Sequence, residues 1–294
     1  MKQALVIFNP SAGVIVKQDV LGLVKNKLKE LGWQPLVFIL NQNFEKKLAE
    51  YDLAAVGLVV AVGGDGTAKV AARTIIEHKL SAKLALVPFG SANVLAATLK
   101  IPLSWQEAIG LLASPKAVKI DVGLINRKHY FVVGFSLGYV SSIIIATGKE
   151  LKNRWGMAGY LWRLVFNKIR IRRVKFKIQT QNKIFWVKGN SLIVFNAFNF
   201  YGFQPKKSIS ISDGVFNLYA VTNKTFWTLL KAAFYVWWYH HPPRHVFFLD
   251  DSYFKITVNK QKLLKTAQVD GDHLLVSKEM IIETLPRAVE VVIK

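Results

Sequence analysis

The chain has 294 residues, 52% of them hydrophobic, and no cysteine, so it can bury two cores of ordinary size and has no disulfide or thiolate chemistry. Forty lysines and arginines against 18 aspartates and glutamates leave a formal charge of +22. A balance this basic suits polyanions such as nucleic acid, an anionic membrane surface or phosphorylated ligands, although lysine-rich composition alone also produces it.

Ala4 to Phe8 is a short apolar run that reads as a buried strand and ends at Asn9-Pro10-Ser11-Ala12-Gly13. It is too short for the apolar core of a secretory signal. Val20 to Leu31 has helical spacing and stops at Gly32. Leu36 to Leu40 predicts a second strand, Phe44 to Glu50 a short helix and Leu58 to Val62 a third strand. That strand breaks into Gly63-Gly64-Asp65-Gly66-Thr67, and a helix is expected from about Ala68 to Glu77. Leu84 to Val87 reads as the fourth strand and ends at Pro88-Phe89-Gly90-Ser91. Helices follow over Asn93 to Lys100 and Trp105 to Leu112. Strands alternating with helices predict a doubly wound, mostly parallel sheet, in which ligands bind beyond the carboxyl ends of the strands. Asn9, Asp65 and Ser91 each stand just past such an end.

From about Lys119 the pattern changes to short strands at Phe131 to Val133, Lys175 to Gln179, Lys183 to Val187, Ser191 to Asn196, Val215 to Val221 and Phe254 to Val258. Helical segments interrupt them near Gly156 to Ile169 and Thr225 to Tyr239. This predicts a second, antiparallel β domain. The most apolar helical stretch, Phe226 to Tyr239, contains Lys231 and falls short of the ~20 residues that span a bilayer, so no transmembrane helix is expected. Its aromatic stripe suits a core, and equally a membrane-lying helix, with His240, His241, Arg244 and His245 close behind. The basic run Ile169 to Lys175 reads as a solvated edge strand.

The glycines of the Gly63 to Thr67 turn allow a backbone to approach a ligand closely, and the helix start behind them offers unpaired N–H groups to phosphate. The turn is neither a P-loop nor a dinucleotide fingerprint. Backbone N–H groups at Gly64, Gly66 and Thr67 can hold phosphate oxygens, and Asn9 and Ser91 can add side-chain donors. Asp65 can accept from a nucleotide hydroxyl or help hold Mg²⁺, which prefers carboxylates plus the substrate's own phosphates. Asp270-Gly271-Asp272 has two readings, a plain hairpin turn or a source of the base that an attacking alcohol needs.

Taken in order, these landmarks resemble the diacylglycerol kinase catalytic family, which includes bacterial lipid kinases and the sphingosine and ceramide kinases. Asn9-Pro10-Ser11-Ala12-Gly13 is similar to its Asn-Pro-x-x-Gly opening, Gly63 to Thr67 to Gly-Gly-Asp-Gly-Thr, and Pro88 to Asn93 to Pro-x-Gly-Thr-x-Asn, with Ile101-Pro102 following. Ile120-Asp121-Val122-Gly123, Ser212-Asp213-Gly214 and Val269-Asp270-Gly271-Asp272 resemble its second-domain landmarks. The resemblance covers nearly the whole chain. It implies an α/β fold: a nucleotide-binding domain over residues 1–122, with a C-terminal return at about 286–294, and a β-sandwich lipid-substrate domain over 123–285. It further implies ATP in a cleft, a lipid hydroxyl as acceptor and Mg²⁺ as cofactor. The implied nucleotide-binding residues are Asn9, Gly63, Gly64, Asp65, Gly66, Thr67, Ser91 and Asn93. Asp65 and Asp213 are the expected metal ligands, Asp270 the expected base and Asp272 its support. A protein of this kind is expected in the cytoplasm, on the inner face of a membrane with an anionic surface, as a possible homodimer, with no nucleic-acid partner.

The sequence departs from the family at several positions. Ala68-Lys69-Val70 replaces x-Asn-Glu, Val94 replaces an Asp, and Ser91 replaces Thr while keeping the hydroxyl. Gly134-Phe135-Ser136 lacks the Asp usual after Gly-Phe. Ser208 and Ser212 stand where bacterial members have carboxylates for a structural Mg²⁺, and neutral hydroxyls are poor ligands for a hard cation. An NAD kinase shares the Gly-Gly-Asp-Gly-Thr turn and is the first alternative. A lipid- or nucleotide-binding protein without catalysis is the second.

Overall fold

Continuous apolar runs and amphipathic helices alternate through the first third of the chain. The computed structural model, which describes residues 2–12, 20–146, 173–198, 210–222, 246–259, 264 and 266–294, folds them as expected. The elements are β1 (Gln3–Phe8), α1 (Val20–Glu30), β2 (Gln34–Ile39), α2 (Phe44–Ala49), β3 (Val56–Gly63), α3 (Asp65–Glu77), β4 (Lys83–Pro88), α4 (Val94–Thr98) and α5 (Trp105–Gly110). The strands lie in the order β2-β1-β3-β4, every neighbour parallel. Leu5, Val6, Val59, Val60, Leu84 and Val87 are completely buried, because helices cover both faces of a sheet built this way. Helix α1 turns Val20, Val24 and Leu28 inward at four-residue intervals.

Helix α3 begins three residues earlier than its hydrophobic spacing predicts. Gly64 is extended and acts as the N-cap, and its carbonyl accepts from the N–H groups of Thr67 and Ala68. Asp65, Gly66 and Thr67 of the motif therefore form the first turn of the helix. Gly63 at the end of β3 packs against Thr67, and the capping Gly64 packs against Gly90, whereas a Cβ on Gly66 would meet nothing within 4 Å.

The second part comprises β5 (Ala117–Ile125), β6 (His129–Phe131), β7 (Gly134–Gly138), α6 (Tyr139–Ala146), β8 (Val174–Gln179), β9 (Ile184–Gly189), β10 (Ser191–Phe195), β11 (Phe216–Val221), β12 (Val246–Asp251), β13 (Tyr253–Val258), β14 (Ala267–Val269), β15 (Asp272–Leu274) and β16 (Glu279–Val292). One antiparallel sheet runs β12-β11-β10-β7-β14-β15, and another set runs β16-β13-β8-β9. Phe135, Leu137, Leu192, Val194, Phe216 and Leu218 of the first meet Phe176, Ile178, Phe254, Ile256 and Ile282 of the second in one core. The helices expected over 156–169 and 225–239 lie outside the described residues, as does the first part of the basic run, 169–172. Its end, Val174 and Lys175, opens β8, which pairs with β13 on one side and β9 on the other, so the expected edge strand is an interior one.

Contacts divide the chain into two compact units, Met1–Ile120 with Arg287–Lys294, and Asp121–Phe198 with Phe203–Pro286. Strand β16 is far longer than the expected final strand at Val289 to Ile293. Its first part pairs with β13, and its Val291 pairs in parallel with Leu84 of β4. No helix among the described residues is long and apolar enough to cross a membrane.

One packing contact in the second unit predicts a large stability effect. The Phe131 ring lies over Gly123, its cross-strand partner, so closely that a Cβ on Gly123 would sit 2.0 Å from a ring carbon. The ring is completely buried and packs on Phe216 at 5.0 Å. Gly123→Ala is expected to lower stability by about 2–3 kcal/mol through overpacking, read as a lower urea midpoint at unchanged slope. An unchanged midpoint would show that the ring has a second resting place.

Candidate functional site

Three turns at the carboxyl ends of parallel strands build the site of the first unit. Asn9 follows β1; its N–H donates to Val62 O of β3 at 3.0 Å, and its side-chain oxygen accepts from Ser11 N–H at 3.0 Å. The turn is closed by its own side chain and tied to the strand that ends in the glycine motif. Gly13 lies outside the described residues.

The β3–α3 and β4–α4 turns are joined by Asp65. Its two carboxylate oxygens accept from Val94 N–H and Leu95 N–H, each at 3.0 Å. Helix α4 is thus capped by a side chain 29 positions earlier rather than by its own N-cap residue. Asn93 has a left-handed backbone, φ 48°, and its side chain turns back to Gly90, accepting from Gly90 N–H at 3.0 Å and donating to Gly90 O at 2.8 Å. Gly64 and Gly90 pack face to face, and a Cβ on Gly90 would lie 2.6 Å from Gly64 Cα. Gly90 therefore excludes a side chain, and one on Gly64 would be tight, at 3.1 Å from Gly90 Cα.

The predicted phosphate-binding residues separate into two groups in this geometry. Thr67 turns inward: the residue is 1% exposed, its hydroxyl has no hydrogen-bond partner among the described residues and packs against Gly63, and its N–H goes to Gly64 O. Gly63 is buried, and its carbonyl accepts from Phe89 N–H at 2.8 Å. Gly64, Asp65 and Gly66 are partly open, and a Cβ on Gly66 would meet nothing within 4 Å. The N–H groups of a first helical turn have no intrahelical acceptor, so this end of α3 presents donors and a positive dipole to open space. Ser91 is exposed on the neighbouring turn, and Lys69 is partly exposed one turn along α3. Gly63, Gly64, Asp65, Asn93 and Ala96 line a small pocket at this place.

In the second unit, Asp270 and Gly271 form a tight hairpin turn between β14 and β15, with φ 49° and 90°. Positive φ at both central residues is the geometry favoured by Asp-Gly hairpins. The carboxylate of Asp270 also has a long-range task. It accepts from Val132 N–H at 2.8 Å and Val133 N–H at 3.0 Å, in the linker between β6 and β7, and from Gly134 N–H at 2.8 Å at the start of β7. Asp272 stands exposed at the start of β15. Gln268 completes the turn by accepting from Gly271 N–H at 2.6 Å.

Asp121 is completely buried, and its carboxylate accepts from Gly214 N–H at 2.7 Å. Asn196, which the motif reading passed over, links the two aspartates' surroundings: its amide donates to Asp121 O at 2.8 Å and Val132 O at 2.9 Å. The signal was faint, a single polar residue ending an apolar strand. Asp213 is exposed and accepts from Val215 N–H at 3.3 Å within its own turn. Among the described residues no group of three or more His, Asp or Glu side chains could hold a metal ion. Ser208 lies outside the described residues.

Comparison with known proteins agrees with this architecture. Residues 3–125 match the diacylglycerol kinase catalytic domain. A diacylglycerol kinase of Staphylococcus epidermidis is 26% identical over 228 residues, covering 75% of this chain and 70% of that protein. A protein of Yersinia enterocolitica named for YegS-like lipid kinases is 33% identical over 165 residues, 54% of each chain. The crystal structure of a diacylglycerol kinase from Bacillus anthracis superposes with a TM-score of 0.72 at 18% identity, covering 100% of this chain and 97% of that one. A second structure from the same organism gives 0.77 at 19%. At this identity the superposition shows a shared two-domain α/β fold. Through residues 3–125 the chain is similar to the diacylglycerol kinase catalytic domain.

Proposed function

We propose that the protein transfers the γ-phosphoryl group of MgATP to the hydroxyl of diacylglycerol or a related lipid, at a membrane with an anionic surface. The observation that carries this reading is the open first turn of α3, held by Asp65 against the Gly90–Asn93 turn. Phosphoryl transfer asks chiefly for positioning and charge stabilisation. Backbone N–H groups at Gly64 and Gly66 are suited to phosphate oxygens, and Ser91 and Lys69 are placed to add contacts. A Cβ on Gly66 would meet nothing within 4 Å, which leaves open space beside this turn for a phosphate group. Magnesium enters as part of the nucleotide substrate, bound by its phosphates, and supplies charge neutralisation there.

In the reaction the lipid oxygen bonds to the γ-phosphorus as the bond to the bridging oxygen of ADP breaks. The hydroxyl proton leaves to a carboxylate. We assign that role to Asp270, whose orientation three main-chain donors fix, with Asp272 in support.

Radiolabelled ATP offered with a panel of lipids, with NAD and with no acceptor tests the reading. Label on a lipid hydroxyl is expected. Label on NAD alone would make the protein an NAD kinase, and bound nucleotide without transfer to any acceptor would make it a binding protein.

A further inference from the structure

The outward face of the β8–β9 hairpin combines cationic and apolar side chains in a way that the catalytic reading does not use. Strand β8 alternates strictly: Val174, Phe176 and Ile178 enter the core, and Lys175, Lys177 and Gln179 face away. Strand β9 sends Val187 inward and Ile184, Trp186 and Lys188 outward. The register places Lys175 opposite Lys188, Lys177 opposite Trp186 and Gln179 opposite Ile184. Arg173 adjoins them and donates to Lys188 O at 3.3 Å.

Two features of this face are costly for a plain solvated edge. Lysines paired directly across a sheet repel each other. Trp186 is 57% exposed and Ile184 54% exposed on the edge strand, where apolar surface invites unwanted pairing. Edge protection explains lysines but not an exposed tryptophan. The Trp186 ring instead gathers the charges, with Lys175 Nζ 4.5 Å and Lys177 Nζ 5.9 Å from its centroid. No acidic residue occurs anywhere between Glu150 and Asp213, against thirteen lysines and arginines. The neighbouring acid on this sheet, Glu279, is paired with Lys255 at 3.0 Å.

We infer that this face docks on an anionic lipid bilayer. Trp186 and Ile184 enter the headgroup region, where an amphipathic ring is most stable, and Lys175, Lys177, Lys188 and Arg173 meet the anionic headgroups. The choice of a bilayer as occupant rests on the proposed lipid kinase activity; the cationic-aromatic face itself does not.

The test uses the full chain and sedimentation with vesicles of phosphatidylcholine alone or with about a third phosphatidylglycerol. Wild type is expected to bind the anionic vesicles more tightly and to lose most of that binding at high salt. Lys175→Gln/Lys177→Gln is expected to weaken partitioning about 25-fold, since each lysine near such a surface contributes about 5-fold. Trp186→Ala is expected to weaken it further at every salt concentration. Both variants should retain the wild-type far-UV spectrum, because the altered side chains are outward-facing, and wild-type turnover on a water-soluble short-chain diacylglycerol. Vesicle binding lost in these variants supports the docking face even if no lipid is phosphorylated, in which case only the kinase reading fails. Variants that bind anionic vesicles as well as wild type overturn the inference. So does a double-lysine variant that loses binding to single-stranded RNA while keeping vesicle binding, which would assign the face to nucleic acid.

Discussion

Asp65→Ala is expected to lower kcat/KM for ATP by at least about 100-fold and to destabilise the first unit by about 2–3 kcal/mol. Both effects come from two hydrogen bonds. The carboxylate holds Val94 N–H and Leu95 N–H at 3.0 Å, and alanine leaves both donors at the start of α4 unpaired. It also releases the Gly90–Asn93 turn from the first turn of α3. Displacement of a positioning element by about 1 Å is enough for a 100-fold loss when the reaction depends on alignment. Asp65→Asn should fall between alanine and wild type, because its amide oxygen keeps one acceptor and its NH₂ group faces the other donor. Calorimetric ATP binding and urea unfolding of the three proteins give the comparison. A folded alanine variant with unchanged ATP affinity and turnover would remove Asp65, and the turn it organises, from the nucleotide site.

The second large effect is expected at Asp270, where structure and chemistry have to be separated. Base catalysis contributes about 10²–10⁴-fold, so Asp270→Asn should lose turnover by that factor if this carboxylate receives the proton. The residue also accepts from Val132, Val133 and Gly134 N–H. An asparagine amide cannot accept on both sides, so the same variant should lose about 1.5–3 kcal/mol of stability. On a sequence reading alone, the substitution would preserve stability; three main-chain donors change that expectation. Asp272→Asn is the control: it is exposed, so its melting temperature should stay near wild type while turnover falls less. A proton-accepting role also predicts that the acidic limb of the pH–rate profile disappears in Asp270→Asn, which a purely structural loss would not cause. If Asp270→Asn keeps most of its turnover while Asp272→Asn loses it, the two roles exchange. If both keep full turnover, the hairpin is only a turn.

Much of the first unit was legible in the linear sequence for a local reason. A strand covered on both faces is a continuous apolar run, and the runs at Leu5, Val59 and Leu84 announce themselves without knowledge of their neighbours. The glycine motifs are likewise local, because a turn that must approach another backbone closely excludes side chains at the turn itself. The α/β class and the resemblance to a kinase family followed from the order of these motifs. The second unit was less legible: β5, β7, β12 and the short strands β14 and β15 went unnoticed, since strands of three to nine residues carry little periodicity.

What only the tertiary structure decided was where the polar groups point. The sequence identifies Asp65, Thr67 and Asp270 as chemically capable residues. It does not say that the Thr67 hydroxyl turns inward onto Gly63, nor that Asp65 caps a helix 29 positions away. The three donors to Asp270 are separated from it by 136 to 138 positions. A carboxylate needs donors wherever it is buried, but the chain's topology chooses them, and no local spacing encodes a main-chain N–H brought in from another strand.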